Sequence, residues 1–377
     1  MYIHEKDDWT NFTWAPDKLA PLLGNVRHLQ GRLLGQMEQL GFELTTESTV
    51  ASLTFDVVDT SIIEGVMLNP EQVRSSIAHK LGIENVDYVP TPQNVDGIVN
   101  ILLDATQNFA QPLTQERLFG WHNALFPGGF GGLTKIDVAK YRSGGMKVVS
   151  GAFGREKIHF EAPHPTRLDG EMKDFLAWFN KNAALDKVLK AAIAHLWFVT
   201  LHPFDDGNGR LARAIMDMQL ARSDNSALRF YSMSNQIYKD HSKYNELLER
   251  TQKGDGDITA WLNWFLTCFE KALLASQTNL AMILDKAKFW NQFQLVPIND
   301  RQRLMLNHLY ANYDKETGYL RTSSWAKTAD CSTDTALRDL QDLVQKGMLI
   351  AEDSGKKTNY LVASPGKIRI PKILNNN

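Results

Sequence analysis

His202-Pro203-Phe204-Asp205-Asp206-Gly207-Asn208-Gly209-Arg210-Leu211-Ala212-Arg213 brings a base, a carboxylate, two glycines and two arginines into one short run. Glycine tolerates left-handed backbone angles, so Gly207-Asn208-Gly209 can turn tightly and converge its amide N–H groups on one point. A helix beginning near Arg210 adds its positive end, which completes an anion nest. Arg210 and Arg213 lie three residues apart, on one side of that helix. Two forked guanidiniums in that position suit the outer phosphates of a triphosphate. Asp206 is the natural oxygen ligand for Mg²⁺, a hard ion that bridges phosphates. His202 ends the preceding helix, and an imidazole titrating near neutrality can take a proton from an attacking hydroxyl. Base, ion and cradle together describe transfer at phosphorus, with pyrophosphate as the leaving group. Phe204 reads as the core anchor of the loop. Asp-Gly-Asn-Gly alone would read as a plain turn between helices, but the complete string does not.

Outward from this run the pattern is helical. Apolar residues at spacings of three and four mark an amphipathic helix over 17–44 and a second over 45–64. Asn69-Pro70 starts a third, with an Asn cap and Pro in the first turn, and it stops near Gly82. Val89-Pro90-Thr91-Pro92 marks a boundary. Residues 93–140 read as helical with a Gly-rich loop, Pro127 to Gly132. Met146-Lys147-Val148-Val149 and Lys157-Ile158-His159-Phe160 are strand-like, with Gly151-Ala152-Phe153-Gly154 as the turn of a β-hairpin. Helices follow over 168–182, 185–201, 210–222, 234–252 and 257–290. Beyond Pro297, helices at 300–313 and 332–346 and a hairpin within 348–363 resemble a winged helix-turn-helix. The expected fold is therefore mainly α in three parts, 1–90, 91–290 and 298–365.

The chain has 377 residues, 43% hydrophobic and 22% charged, with a formal charge of −2. That is the balance of a soluble globular protein of two or three domains, with no global attraction to nucleic acid or membrane. Two distant cysteines, Cys268 and Cys331, fit a reducing cytoplasm. The N-terminal residues carry no apolar signal core, and no apolar stretch is long enough to span a bilayer. There is no internal repeat, and the short tail Asn375-Asn376-Asn377 is the one low-complexity tract.

The twelve-residue run resembles the signature of Fic-domain proteins, His-x-Phe-x-(Asp/Glu)-Gly-Asn-Gly-Arg-x-x-Arg, at every fixed position, and the helical pattern over 91–285 is similar to their core. The resemblance implies transfer of AMP from ATP to a Ser, Thr or Tyr hydroxyl of a target protein, or of the chain itself, with release of pyrophosphate. It makes His202 the base and Asp206 the Mg²⁺ holder. Gly207, Asn208 and Gly209 would cradle the α-phosphate, while Arg210 and Arg213 would hold the β- and γ-phosphates. The hairpin resembles the family's flap, where Lys147, Val148, Val149, Ile158 and His159 would align a target segment by strand addition. Thr60-Ser61-Ile62-Ile63-Glu64-Gly65 resembles the family's inhibitory motif, placed before the core. Glu64 would pair with Arg213 and deny it to the γ-phosphate. Asn235 falls where the family builds part of its nucleotide pocket. The helical residues 1–90 and the C-terminal module resemble parts found in a bacterial subgroup.

Weaker signals point to structure. His195 and His202 share a helix face, but nothing completes a zinc set, so His195 reads as packing under the site. His159 and His164 flank the hairpin strand and read as surface or hairpin-packing residues rather than catalytic ones, and Trp178, Trp197, Trp261 and Trp264 read as core. The helix from Ser332 to Lys346 carries Asp334, Asp339 and Asp342 against Arg338 and Lys346, which disfavours the DNA major groove. A protein partner or a second copy of the chain suits this module better. Three alternatives stay open. The same site could remove AMP from a protein with water positioned by Glu64. The donor could be UTP, GTP or a CDP-linked choline. The core could serve as a nucleotide sensor for a regulator acting through 298–365.

Overall fold

Pro16 opens the first helix, α1 (Pro16–Glu38), where its missing N–H costs nothing. The computed structural model describes residues 1–83, 89–132, 134–151, 155, 157–182, 184–311, 319–354 and 357–363. Among these the chain is mainly helical, with three antiparallel two-stranded hairpins, and it divides into two compact units, Met1–Gln277 and Thr278–Asn377. The boundary expected near residue 90 falls inside the first unit.

The helix expected over 17–44 ends earlier, because Gly41 caps a new helix, α2 (Phe42–Ile63). The apolar spacing runs on through Leu40, but Gly41 takes an extended conformation as the N-cap of α2 and the chain breaks there. Asn69 caps α3 (Pro70–Lys80) with its side chain, accepting from Glu71 and Gln72, as the sequence predicts. Gly82 closes that helix at φ +72. Then follow α4 (Gln93–Gln107), α5 (Gln115–Leu125), a minimal hairpin of β1 (Phe130–Gly131) and β2 (Thr134–Lys135), and the expected hairpin of β3 (Lys147–Ser150) and β4 (Lys157–Glu161). Of its predicted turn, Gly151 adopts φ +107, while Ala152, Phe153 and Gly154 lie outside the described residues.

The centre of the first unit is three consecutive helices, α6 (Leu168–Asn180) leading into α7 (Lys187–Leu201) and then α8 (Asn208–Asp224) packed along α7. Every residue of α7 from Val188 to Leu201 is buried. A helix buried on all faces is a core rod, which holds its C-terminal residue in a fixed place. The single helix expected over 234–252 is two, α9 (Met233–Lys239) and α10 (His241–Gln252), divided at Asp240. Asp240 ends one helix, starts the next, and accepts a bond from Trp264 on α11 (Thr259–Gln292). Trp197, Trp261 and Trp264 are core residues, and Trp178 packs partly buried against the same core.

Gly97 shows how tightly this unit is packed. A Cβ there would drive into the Ala124 carbonyl oxygen where α4 crosses α5. Backbone cannot swing aside as a flexible side chain can. Gly97→Ala is therefore expected to cost about 1–3 kcal/mol, as overpacking does, and urea unfolding of the purified protein measures it.

In the second unit α12 (Asp300–Ala311), α13 (Thr322–Thr328) and α14 (Thr333–Gln345) precede a hairpin of β5 (Leu349–Ser354) and β6 (Lys357–Val362). The helix α13 escapes the sequence reading because seven residues give too little periodicity to register. Phe289, Met305, Leu306, Trp325, Leu340, Leu343 and Met348 form the core of this unit. Asp339 is buried on Arg301 of α12, and Asp342 is held by Lys346 and Gln302. Two of the three acids of α14 are thus spent inside the unit. Among the described residues, no helix is long and apolar enough to cross a membrane.

Candidate active site

The helix α7 ends at His202, which adopts the left-handed region at φ 49 and ψ 56. That reversal turns the chain out of the core and into the loop 203–207. The His202 Nδ1 lies 3.1 Å from the Val199 carbonyl. A carbonyl can only accept, so Nδ1 carries the proton and Nε2 keeps its lone pair. Burial, helped by nearby Arg142, outweighs the opposing pull of Val199, Glu64 and Asp206 and lowers the imidazole pKa from its ordinary value. His202 is thereby a neutral base with its tautomer already set.

The loop that follows is braced from inside. Asn208 is buried, and its Oδ1 accepts from Phe204 N–H at 2.9 Å while its Nδ2 donates to the Phe204 carbonyl at 2.8 Å. The Asn208 side chain therefore staples the loop, and only its main-chain N–H is turned to the nest. Phe204 is fully buried and stacks on His122, with ring centroids 4.2 Å apart. Gly207 sits at φ +81, and a Cβ there would press on Leu125 and Phe126 at 3.0 Å. Leu211 is the first residue of α8 whose N–H finds a helical acceptor, the Gly207 carbonyl. The N–H groups of Asn208, Gly209 and Arg210 thus stand at the positive helix end, where an anion is favoured.

Two arginines border this end and are in different states. Arg210 is mostly buried, lies over the Phe126 ring, and has Asp206 as its nearest anion at 3.9 Å. Its buried Nε has no hydrogen-bond partner among the described residues. Leaving a buried donor of a charged group unsatisfied is costly, so this Nε beside the amides at the helix end suits an anion held there. Arg213 is fully engaged. Its Nε donates to Thr60 Oγ1 at 2.5 Å, and its Nη2 donates to the Thr60 carbonyl at 3.1 Å and to Glu64 Oε1 at 2.7 Å.

Glu64 reaches this position because α2 ends on it. Gly65, at φ +76, donates to the Ile62 carbonyl, and Val66 donates to the Ser61 carbonyl, both at 2.9 Å. This is the Schellman closure, which needs a left-handed residue such as glycine just past the cap. A Cβ on Gly209 would collide with the Glu64 carboxylate. The carboxylate therefore lies on the nest itself. Burial favours its neutral form, but Arg213, and further off Arg210 and His202, outweigh that and hold its pKa below the ordinary value. Asn235 donates to Asp59 on α2 at 2.7 Å, so it faces the helix that ends at Glu64.

Asp206 is exposed, and its Oδ1 accepts from Gly207 N–H at 2.6 Å. No group of three or more potential ligands gathers among the described residues. One carboxylate beside a phosphate nest fits Mg²⁺, which is held by one or two carboxylates with waters and phosphates rather than by a protein cage.

The hairpin stands over His202. Val148, Val149 and Ile158 are exposed, and Lys147 pairs with Glu161 at 3.4 Å. Val148, Val149, Ser150, His159 and Phe160 form one wall of a cleft whose other walls are His202, Val199 and residues of α10, Asn245 to Gln252. His159 bonds Ser150 and Glu249, each at 2.6 Å. His164 is exposed and caps a short turn at Thr166.

Two positioning residues escape the sequence reading. Arg142 is buried and donates to the carbonyls of His202 at 2.7 Å, Gly144 at 2.8 Å and Pro163 at 2.6 Å. One side chain thus ties the hairpin's two roots to the end of α7. His122 accepts from Ala139 N–H and donates to the Asp206 carbonyl, both at 3.2 Å. A lone Arg or His carries no spacing signal, and only the packing reveals it. Arg142→Ala leaves buried carbonyls unpaired and is expected to cost about 1–3 kcal/mol, and to loosen the hairpin, read as faster amide exchange in β3 and β4. His195 packs beneath the site, stacked on Trp261 and 3.0 Å from Tyr244 Oη, and its pKa is lowered by burial to about 3.

Residues 112–220 match the Fic/DOC family, and residues 2–83 match a domain of unknown function, DUF4172. The chain is 31% identical to the protein adenylyltransferase Fic of Aedes aegypti over 132 residues, which cover 33% of this chain and 25% of that protein. It is 39% identical to protein adenylyltransferase fic-1 of Caenorhabditis elegans over 66 residues, 17% of this chain and 13% of that one. The matches thus span a quarter or less of these curated relatives. Among solved structures, a Fic family protein from Desulfovibrio desulfuricans G20 superposes with a TM-score of 0.54 at 17% identity, covering 94% of this chain and 98% of that one. A Fic domain containing signaling protein from Bacteroides thetaiotaomicron VPI-5482 gives 0.52 at 17% identity, covering 68% and 98%. These two share the fold.

Proposed function

From its place in the Fic/DOC family, we propose that this chain is an autoinhibited protein adenylyltransferase, moving AMP from ATP onto a Ser, Thr or Tyr hydroxyl of a target protein or of the chain itself. The observation that carries the reading is the contrast between the two arginines: Arg210 has a long ion pair to Asp206 at 3.9 Å and an Nε with no hydrogen-bond partner among the described residues, while Arg213 is occupied by Glu64. In this reading the triphosphate lies along the start of α8. The amides of 208–210 hold the α-phosphate, and Arg210 and Arg213 hold the outer phosphates. His202 Nε2 takes the proton of the target hydroxyl as its oxygen attacks the α-phosphorus. The bond to the β-phosphate breaks and pyrophosphate leaves. Asp206 would hold Mg²⁺, which when bound offsets the phosphate charge. Asn235, freed from Asp59, would contact the nucleotide. The hairpin residues Lys147, Val148, Val149, Ile158 and His159 would dock an extended target segment.

Residues 1–90 would be the regulatory part and 91–290 the catalytic core. Residues 298–365 would form a winged-helix-like module that meets a protein partner or a second copy. A reducing cytoplasm suits the two free cysteines. A second reading has one specific support: Glu64 is ionised at the nest beside His202, where it could orient water to remove AMP from a modified protein. The deciding experiment incubates the Glu64→Gly protein with Mg²⁺ and mixed nucleotides and weighs the product. A forward enzyme gains an increment whose mass names the donor base. A dedicated remover gains none and loses hydrolysis of an adenylylated target. A chain that binds nucleotide yet transfers and removes nothing would be a sensor instead.

A further inference from the structure

Three side chains outside the phosphate nest are linked in the manner of an activated nucleophile. His159 on β4 places its Nδ1 2.6 Å from a carboxylate oxygen of Glu249 on α10. A carboxylate accepts, so Nδ1 is the protonated nitrogen and Nε2 has the lone pair. That Nε2 lies 2.6 Å from Ser150 Oγ at the end of β3, so the serine hydroxyl donates to it. Nucleophile, base and orienting acid stand in the order of a Ser–His–acid triad, which is recognised by geometry and not by position in the chain. Bonds donated by Lys253 and His159 hold the Glu249 carboxyl down to about 2, so it stays charged across the working pH range. Ser150 and His159 line the same cleft as His202.

We propose that Ser150 is an internal acceptor of the nucleotidyl group, with His159 as its own base and Glu249 holding that base in place. The proposal rests on the transfer reading above; it names the residue of the chain that accepts the group and adds a second base. Ser150 Oγ attacks the α-phosphorus of bound ATP and forms the new O–P bond. The bond between the α-phosphorus and its bridging oxygen breaks, and pyrophosphate leaves with that oxygen. The hydroxyl proton passes to His159 Nε2. The product, a seryl-AMP on β3, fills the cleft where a target strand would dock. The protein would thereby silence itself once released from Glu64, by covering the docking edge.

Trypsin releases Val148–Arg155, a peptide whose one hydroxyl residue is Ser150. The experiment incubates the full Glu64→Gly protein with Mg²⁺ and ATP and follows this peptide by mass spectrometry. The expected result is an adenylyl increment on it, absent in Glu64→Gly/Ser150→Ala. The rate should fall about 10²-fold when Glu64→Gly is combined with His159→Gly, the size of a lost general base, and added imidazole should restore it. Glu64→Gly/Glu249→Gln should slow it as well. Pyrophosphate release with increments only on other residues overturns the proposal and leaves the transferase reading standing. An unchanged rate without His159 overturns the relay. No increment and no pyrophosphate under any condition removes both readings together.

Discussion

Glu64→Gly is expected to raise nucleotidyl transfer roughly 10- to 100-fold over the unaltered protein at fixed ATP. The size follows from what Arg213 would gain. Its charge-assisted bond to Glu64 at 2.7 Å would be replaced by one to a phosphate oxygen, and such bonds are worth about 1.5–3 kcal/mol. Every 1.4 kcal/mol is about a tenfold change in rate or affinity. Removing the carboxylate also removes a negative charge from the surface of Gly209, where a phosphate would otherwise be repelled. The gain should fall in both KM for ATP and kcat, since the ground state and the transition state each carry the outer phosphates. Steady-state transfer from labelled ATP measures it. An equal rate in both proteins would mean that the ion pair is an architectural contact with no hold on catalysis. The fold should tolerate the change, because Glu64 caps α2 through its main chain, and the closure by Gly65 and Val66 is untouched.

His202→Ala, placed in the same Glu64→Gly background, is expected to lower transfer by about 10²–10⁴-fold, the usual contribution of a positioned base. Nucleotide affinity should hardly move, because no phosphate contact runs through the imidazole. A His202→Ala protein that still transferred at full rate would remove the base from the mechanism. The pH dependence carries a further expectation. The folded-state pKa of His202 is lowered by burial, so the neutral, proton-accepting form persists below the ordinary histidine value of about 6.5. Activity should be full at neutral pH and fall only as pH drops through that lowered value. Glu64 pulls the His202 pKa upward, so its removal should shift the acid limb lower still. The profile of kcat/KM against pH in Glu64→Gly reads this directly.

Much of the phosphate site can be read from the chain because its chemistry demands residue types at fixed spacing on one turn and one helix. His202, Gly207, Gly209, Arg210 and Arg213 follow one another along that path. The Glu64–Arg213 pair is legible only through the short motif that ends α2, since 149 residues separate the partners. Arg142, His122 and the Ser150–His159–Glu249 relay are not legible at all. Arg142 and His122 reach partners far along the chain, and Glu249 comes from α10 to a His159 and Ser150 that share one hairpin, so only the packing joins them. Asn208 is a partial case: its place in the run is plain, but its side chain serves the loop. The fold shows the same division. Long periodic helices are foreseeable, whereas the breaks at Gly41 and Asp240 and the short α13 depend on local turns and packing that periodicity does not encode.

The way α2 is built in limits how any brake at Glu64 could be lifted. Val50, Leu53 and Val57 are part of the main core, and Asp56 accepts bonds from Ser232 and the Ser234 main chain. Ejecting such a helix would unravel the core it belongs to. If Glu64 inhibits as proposed, an activating signal would have to act at the tip alone, by unwinding a turn or swinging one side chain. The residues just beyond that tip, Val66 and Met67, are uncovered, so a modest push there would suffice, and the brake could be eased without dismantling the machine.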